Sequence, residues 1–297
     1  MKSKYTTLLV VALATILASC GNNNKGDLPN NGDYAPVISE NKKTVEYGIY
    51  PQSHVNDATI ISELEKLTTD SNGYCFYNNT YYTSVIASTY FATTEYKFAD
   101  STSIVSGTKY WFRCDKIVWD VVENKGNTYT LISKQLLDVK NFYNDYSDRT
   151  INNKIVHANN YEHSDIRSYL NNDFYKRAFG LNAYYIDEVI VDNSSKTTNI
   201  ESNENVCSNT KDKVYLPSYK DAVSLTNKTA KVSDYAKAIG AWASSQSSYL
   251  DNGVYWTRSP SSNYSYSVWN VNSAGILSDY AVEDTSTCIR PVITISI

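Results

Sequence analysis

The chain has one Met, which is Met1, three His, six Pro and eleven Gly in 297 residues. Each scarcity removes a class of chemistry. His54, His157 and His163 share no ligand spacing, and there is no His-Glu-x-x-His, so a histidine-rich metal centre has no local support. No Gly-x-Ser-x-Gly elbow and no Gly-rich phosphate loop occurs. None of the five Cys stands in a Cys-x-x-Cys or Cys-x-x-His pair, which leaves a zinc site without its usual spacing. Basic residues are also few: 27 Lys and Arg against 31 Asp and Glu. An acidic chain is a poor binder of nucleic acid, where phosphate contacts need clustered cations. Beyond the first twenty residues no apolar run approaches the roughly 18 residues that span a bilayer.

What is present begins at the amino end. Lys2 and Lys4 precede an apolar run from Leu8 to Leu17, then Leu17-Ala18-Ser19-Cys20. A charged head, a short apolar segment and small residues at a cut site make a secretory signal. The tetrad resembles the lipobox of bacterial lipoproteins. That resemblance implies cleavage before Cys20, lipidation of Cys20 by diacylglycerol and amino-terminal acylation (palmitate), and an extracytoplasmic, lipid-anchored protein. Two or three acyl chains, at ~0.8 kcal/mol per buried methylene, hold a protein firmly on a membrane. Residues 1–19 are thus expected to be a signal peptide. Residues 20–43, which include GNNNKGDLPNNGD, are expected to be a flexible tether, and residues 44–297 a single α+β domain. Without residues 1–19 the chain keeps 25 Lys and Arg against 31 acids, a net charge of −6.

Within the domain, VEYGIYP reads as a strand stopped by Pro51. Asn56 or Asp57 can cap a helix bearing Ile60, Ile61, Leu64 and Leu67 at helical spacing. Ile117, Trp119 and Val121 alternate with Val118, Asp120 and Val122 at a strand period, the sequence Asn124-Lys125-Gly126-Asn127 makes a turn, and Tyr129 to Ser133 returns, which is a hairpin. A helix over residues 164–179 has Ser164 as N-cap and Ile166, Tyr169, Leu170, Phe174 and Ala178 on one face, with Gly180 suited to the stop. Ser218 caps a second short helix, and Ser233 to Ala243 suggests a third. The carboxy-terminal part is β again, over residues 254–260, 266–272 and 288–297, with a turn at Ala274-Gly275. Strands, then helices, then strands predict an α+β domain whose first and last strands meet. Trp119 or Trp111 is expected to pack on the Ile166, Leu170 and Phe174 face.

Several segments together carry a family resemblance: EYGIYPQS, YWFRCDKIVWDVV, LISKQLLD, SDIRSYLNNDFYKRAF, DKVYLPSYKDA, YWTRSP and IRPVITI, in that order. Over Val45 to Ile297 the chain resembles the domain-of-unknown-function 6273 family of bacterial surface and secreted proteins. More distantly, that family resembles the C-type-lectin-like fold of the sulfatase-modifying-factor group. The resemblance implies a twisted antiparallel sheet, flanking helices and long loops, and it names no activity. The copper-holding cysteine pair of formylglycine-generating relatives and the His-x-x-x-His-x-Glu iron motif of sulfoxide synthases have no counterpart here. No cofactor is therefore expected.

Cys75, Cys114, Cys207 and Cys288 either form disulfides, with three possible pairings, or pack as buried thiols. Arg258 and Arg290 sit in apolar strands next to prolines. They read as structural braces, the alternative being clamps for an anionic ligand. Val268-Trp269-Asn270 is similar to the Trp-Asn-Asp calcium element of sugar-binding C-type lectins, but Val271 replaces the aspartate, and one oxygen ligand does not make a calcium site. The aromatic stretch 261–270 is the candidate contact surface, with Tyr264, Tyr266, Trp269 and Asn270 as candidate ligand-binding residues. The expected function is non-catalytic binding of a protein or glycan partner at the cell surface. An enzyme of the sulfatase-modifying type and a structural envelope lipoprotein are the alternatives.

Overall fold

The computed structural model of the chain describes residues 34–90 and 96–297. Cys20, the signal segment and residues 20–33 of the expected tether lie outside the described residues. Strand makes up 37% and helix 15%, so the domain is α+β with sheets carrying the architecture.

Two sheets dominate. The larger runs in the order Val37–Ile38, Thr44–Val55, Lys109–Lys125, Thr128–Ser133, Val292–Ser296 and Val214–Tyr215, with Thr80–Ile86 joining Lys109–Lys125 and pairing with Cys75–Tyr77. The second runs Leu277–Ala281, Ser267–Val271, Tyr255–Pro260, Cys288–Ile289 and Asp138–Val139. The expected hairpin is present: Lys109–Lys125 turns at Gly126, whose φ of +70° favours glycine, and pairs with Thr128–Ser133. Val37–Ile38 pairs with Val45 and Glu46, so the domain takes in residues that the sequence assigned to the tether. The first long strand and the last do not meet. Thr44–Val55 pairs with Lys109–Lys125, while Val292–Ser296 inserts between Thr128–Ser133 and Val214–Tyr215.

Pro51 does not stop its strand, which continues to Val55. The register shifts between Pro51 and Ser53, and a bulge tolerates a residue with no N–H to donate. A second irregularity lies at Gly48, with φ +72°. A Cβ there would come within 2.6 Å of the Phe179 ring and 2.8 Å of the Ala178 carbonyl, so the glycine lets a helix rest directly on the strand.

That helix is three segments in one run: Asp165–Tyr169, a π-helical Leu170–Phe174, and Tyr175–Phe179. Ser164 caps it by accepting from the Arg167 amide at 3.2 Å. Ile166, Leu170, Phe174 and Ala178 are all buried, which is the expected apolar stripe. Asn171, in the π-helical stretch, accepts from the Lys213 amide at 2.9 Å and donates to the Val214 carbonyl at 2.9 Å, tying the helix to the sheet edge. Gly180 keeps φ −57° and is not a left-handed stop; there a Cβ would meet the Lys176 carbonyl at 2.5 Å. Asp57 caps Ala58–Leu64, Ser218 forms a capping box with Asp221, and the third helix is shorter than expected, Asp234–Ala238. Leu67 falls beyond the first helix and is exposed.

Trp119 is fully buried, donates to the Tyr47 carbonyl at 2.8 Å and stacks on Phe179 with ring centroids 6.1 Å apart. The contact is thus at the last turn of the helix rather than on Ile166 and Leu170. Trp111 lies elsewhere, in a small cluster with Val55, Leu64, Cys75 and Tyr82. Between the sheets sits a polar hub. Asp138 accepts from the hydroxyls of Tyr50 and Tyr169, while the Arg177 guanidinium donates to Tyr50 at 3.2 Å and Tyr235 at 3.3 Å and lies over the rings of Tyr50, Tyr74 and Tyr235. A buried carboxylate is tolerable only when its lone pairs are met in this way.

The four cysteines of the domain are free thiols. Burial pushes the thiols of Cys75 and Cys207 up to about 11, so neither is a ready nucleophile at neutral pH.

Candidate functional site

A cavity of about 830 Å³ forms an open trough beside the edge strand Leu277–Ala281. Its size suits a small ligand. Four aromatic side chains reach it from four places: Tyr90 after strand Thr80–Ile86, Trp242, Tyr249 from the turn Ser247–Tyr249, and Tyr280 from the edge strand. Gln246, Asn272, Asp279, Glu283 and Asp284 supply hydrogen-bonding groups, and among the described residues no Lys or Arg lines the trough.

Local sequence chemistry fixes each wall. Asn272 opens the turn before the edge strand, its side chain accepting from the amides of Ala274 at 3.0 Å and Ile276 at 3.1 Å, and Gly275 takes φ +80°. After that strand, one oxygen of Asp284 accepts from the amides and hydroxyls of both Ser286 and Thr287, which closes the next turn. The Trp242 amide donates to the Ser286 carbonyl at 3.1 Å, so the tryptophan is pinned to this turn. On the far side, buried Lys237 holds Asp251 at 2.6 Å, and the Asp251 amide donates to the Ser244 carbonyl at 2.9 Å. Tyr90, Tyr249 and Tyr280 are 44%, 36% and 37% exposed.

The residues expected to bind ligand lie apart from the trough's lining. Tyr264 and Tyr266 are exposed, with ring centroids 5.4 Å apart. Their loop is held from beneath by the Asn159 amide, which donates to the carbonyls of Tyr264 and Ser267 at 3.0 Å each. Trp269 is half-buried edge-on against Tyr219 at 5.0 Å. Asn270 does not reach the surface: it is fully buried and accepts from the Ser278 hydroxyl at 2.8 Å. In the register of its strand it pairs with Trp256 and Ser278 inside the sheet.

Arg258 and Arg290 are both buried. Arg258 donates to the Leu216 carbonyl at 2.7 Å, the Asp192 carbonyl and the Asp221 carboxylate at 2.9 Å. Arg290 donates to the carbonyls of Ser133 at 3.0 Å, Asn227 at 3.0 Å and Lys228 at 3.2 Å, and to the Tyr255 hydroxyl at 3.2 Å. Among the described residues no group of three or more His, Cys, Asp or Glu is placed to hold a metal ion, and no helix is long and apolar enough to cross a membrane.

A family described as Domain of unknown function (DUF6273) matches residues 126–297, more than half of the chain. The chain belongs to this family. No curated protein and no solved structure matches it. The DUF6273 segment contains the whole second sheet, both buried arginines and every residue of the trough except Tyr90. Residues before it supply Val37–Ile38, Thr44–Val55, Cys75–Tyr77, Thr80–Ile86 and the whole of Lys109–Lys125, which complete the larger sheet.

Sequence reasoning passed over the trough because its rings are scattered from Tyr90 to Tyr280 and make no local motif. The one signal available was the excess of aromatics, 27 Tyr and 5 Trp, which does not say which of them converge.

Proposed function

We propose that this DUF6273 protein is a lipid-anchored, extracytoplasmic binding protein whose trough takes a glycan. The observation that carries this reading is the pairing of four aromatic rings with amides and carboxylates in one open cavity. A pyranose has an apolar C–H face and a rim of hydroxyls. Aromatic faces cover the first, and Gln246, Asn272, Asp279 and Glu283 can accept from or donate to the second. The trough is open rather than closed over a reacting centre, which favours a non-catalytic role.

The C-type-lectin-like reading of the fold belongs to the same proposal. It is supported by the W-x-R-S-P strand Tyr255–Pro260 at the middle of the second sheet and by the terminal Arg290-Pro291 strand entering the larger one. Anchoring rests on the Cys20 lipobox. A glycan array probed with the protein cleaved from its anchor tests the function. Binding to defined glycans that is lost in Trp242→Ala supports it, and an array blank across all glycans refutes it.

A further inference from the structure

The outer face of the larger sheet carries a second site, independent of the trough. Residues directly opposite one another in neighbouring strands share a face. The pairs Thr44 with Asp120, Asp120 with Ile132, Ile132 with Val292, and Val292 with Tyr215 therefore form one row across five strands. The neighbouring row, with Val45 and Trp119, faces the core. The segment carrying Leu225 lies over the outer row and leaves a cavity of about 570 Å³, which shares Val122, Ile132 and Leu225 with a smaller one of about 210 Å³.

Three charged side chains line the larger cavity, Lys43, Asp120 and Arg290, and the last two keep hydrogen-bonding capacity toward it. Arg290 is 1% exposed, and Nε and Nη1 are spent on carbonyls and Tyr255. Its remaining nitrogen, Nη2, has as its nearest carboxylate oxygen Asp120 Oδ2 at 3.9 Å, too far for a hydrogen bond. No described group donates a hydrogen bond to the Asp120 carboxylate, and both residues line the cavity. Nη2 and the Asp120 carboxylate are thus left to water or to a ligand in the cavity.

The geometry points to a small zwitterion as the occupant: an α-amino acid with an aliphatic side chain. Its carboxylate would accept from Arg290 Nη2, its ammonium would donate to Asp120, and its side chain would lie against Val122, Ile132 and Leu225. A simple anion meets Arg290 and Lys43 but leaves Asp120 unmatched and is repelled by it. A simple cation meets the reverse problem. An uncharged apolar molecule satisfies neither.

Isothermal titration of the protein with L-leucine, leucinamide and 4-methylpentanoate tests this. Leucinamide lacks the carboxylate and 4-methylpentanoate lacks the ammonium. Loss of one charge-assisted hydrogen bond is expected to weaken binding about tenfold or more. L-leucine should bind, both analogues should be weaker by that factor, and Asp120→Asn should weaken L-leucine while leaving 4-methylpentanoate as tight or tighter. Asp120 is part-exposed, and the isosteric Asn keeps its shape while removing the charge 3.9 Å from Arg290; a melting profile of the variant confirms that it is folded before titration. Absence of binding by L-leucine, or 4-methylpentanoate binding as tightly as L-leucine to the unaltered protein, overturns the assignment.

Discussion

Replacing Arg290 by Ala removes a guanidinium that makes four hydrogen bonds inside the fold: to the carbonyls of Ser133, Asn227 and Lys228 and to the Tyr255 hydroxyl. These acceptors belong to separate parts of the chain. Ser133 ends a strand of the larger sheet, Asn227 and Lys228 lie in the covering segment, and Tyr255 begins a central strand of the second sheet. The arginine therefore joins three layers. Each buried acceptor left unmet costs about 1–3 kcal/mol. Water entering from the adjoining cavity meets some of that demand, so the sum is set at roughly 3–5 kcal/mol, the range for breaking a buried charged contact. In a domain of this size 1 kcal/mol moves Tm by about 2–4 °C, which predicts a fall of roughly 10 °C in calorimetry. Arg290→Lys should also fall, because one ammonium cannot reach three carbonyls lying in different directions. Arg113→Ala is the control: its side chain is 53% exposed in a pair with Asp115, and a surface pair of that kind is worth about 0–1 kcal/mol. If Arg290→Ala melts with the unaltered protein, the brace argument is wrong.

Trp119→Ala, which empties a fully buried site against Phe179, should cost about 3–5 kcal/mol in urea unfolding; a midpoint shift no larger than that of Trp111→Ala would show that the core is not centred there. For Asp221, burial alone would raise the carboxyl, but the Arg258 guanidinium and the Ser218 hydrogen bonds outweigh it and hold the pKa below its ordinary value. A carboxyl whose pKa is lower folded than unfolded adds stability above the unfolded value and loses it as pH falls through the folded one. The stability gap between the unaltered protein and Asp221→Asn should therefore close below about pH 4, and a gap that stays constant from neutral to acid pH would contradict the assignment. Cys20→Ala should leave the domain folded but move it from the membrane fraction to the soluble one, or leave the precursor uncut; normal processing with retention on the membrane would refute lipid anchoring.

Local features were legible in the sequence wherever one residue type decides the backbone. Ser164, Ser218 and Asp57 cap helices because a short polar side chain can accept from the first free amides, and Gly126 and Gly275 turn hairpins because φ is positive there. The stripe of Ile166, Leu170, Phe174 and Ala178 was equally plain. What was not legible depends on partners distant in sequence. Pro51 continues in a strand because a register shift beside it relieves the missing donor, and nothing near Pro51 announces the shift. Gly180 looked like a left-handed stop, yet its role is to fit under the Lys176 carbonyl. The pairing of the last strand with Thr128–Ser133, not with Thr44–Val55, is set by burial of Trp119 and Ile293 on one face, a choice made only after the sheet assembles. The same holds for function. Tyr264, Tyr266, Trp269 and Asn270 were adjacent and therefore conspicuous, but strand alternation turns Asn270 inward. Tyr90, Trp242, Tyr249 and Tyr280 converge only through the fold.

The measurement that bears most directly on glycan binding in the trough is a glycan array run in parallel on the unaltered protein, on Trp242→Ala with Tyr249→Ala, and on Tyr264→Ala with Tyr266→Ala, each confirmed as folded by its melting profile. All four residues are at the surface or partly so, which keeps the folded state within reach in both variants. The trough variant is predicted to lose the glycans that the unaltered protein binds, and the loop variant to retain them. Loss in the loop variant with retention in the trough variant would move the site to residues 264–266 and contradict the account.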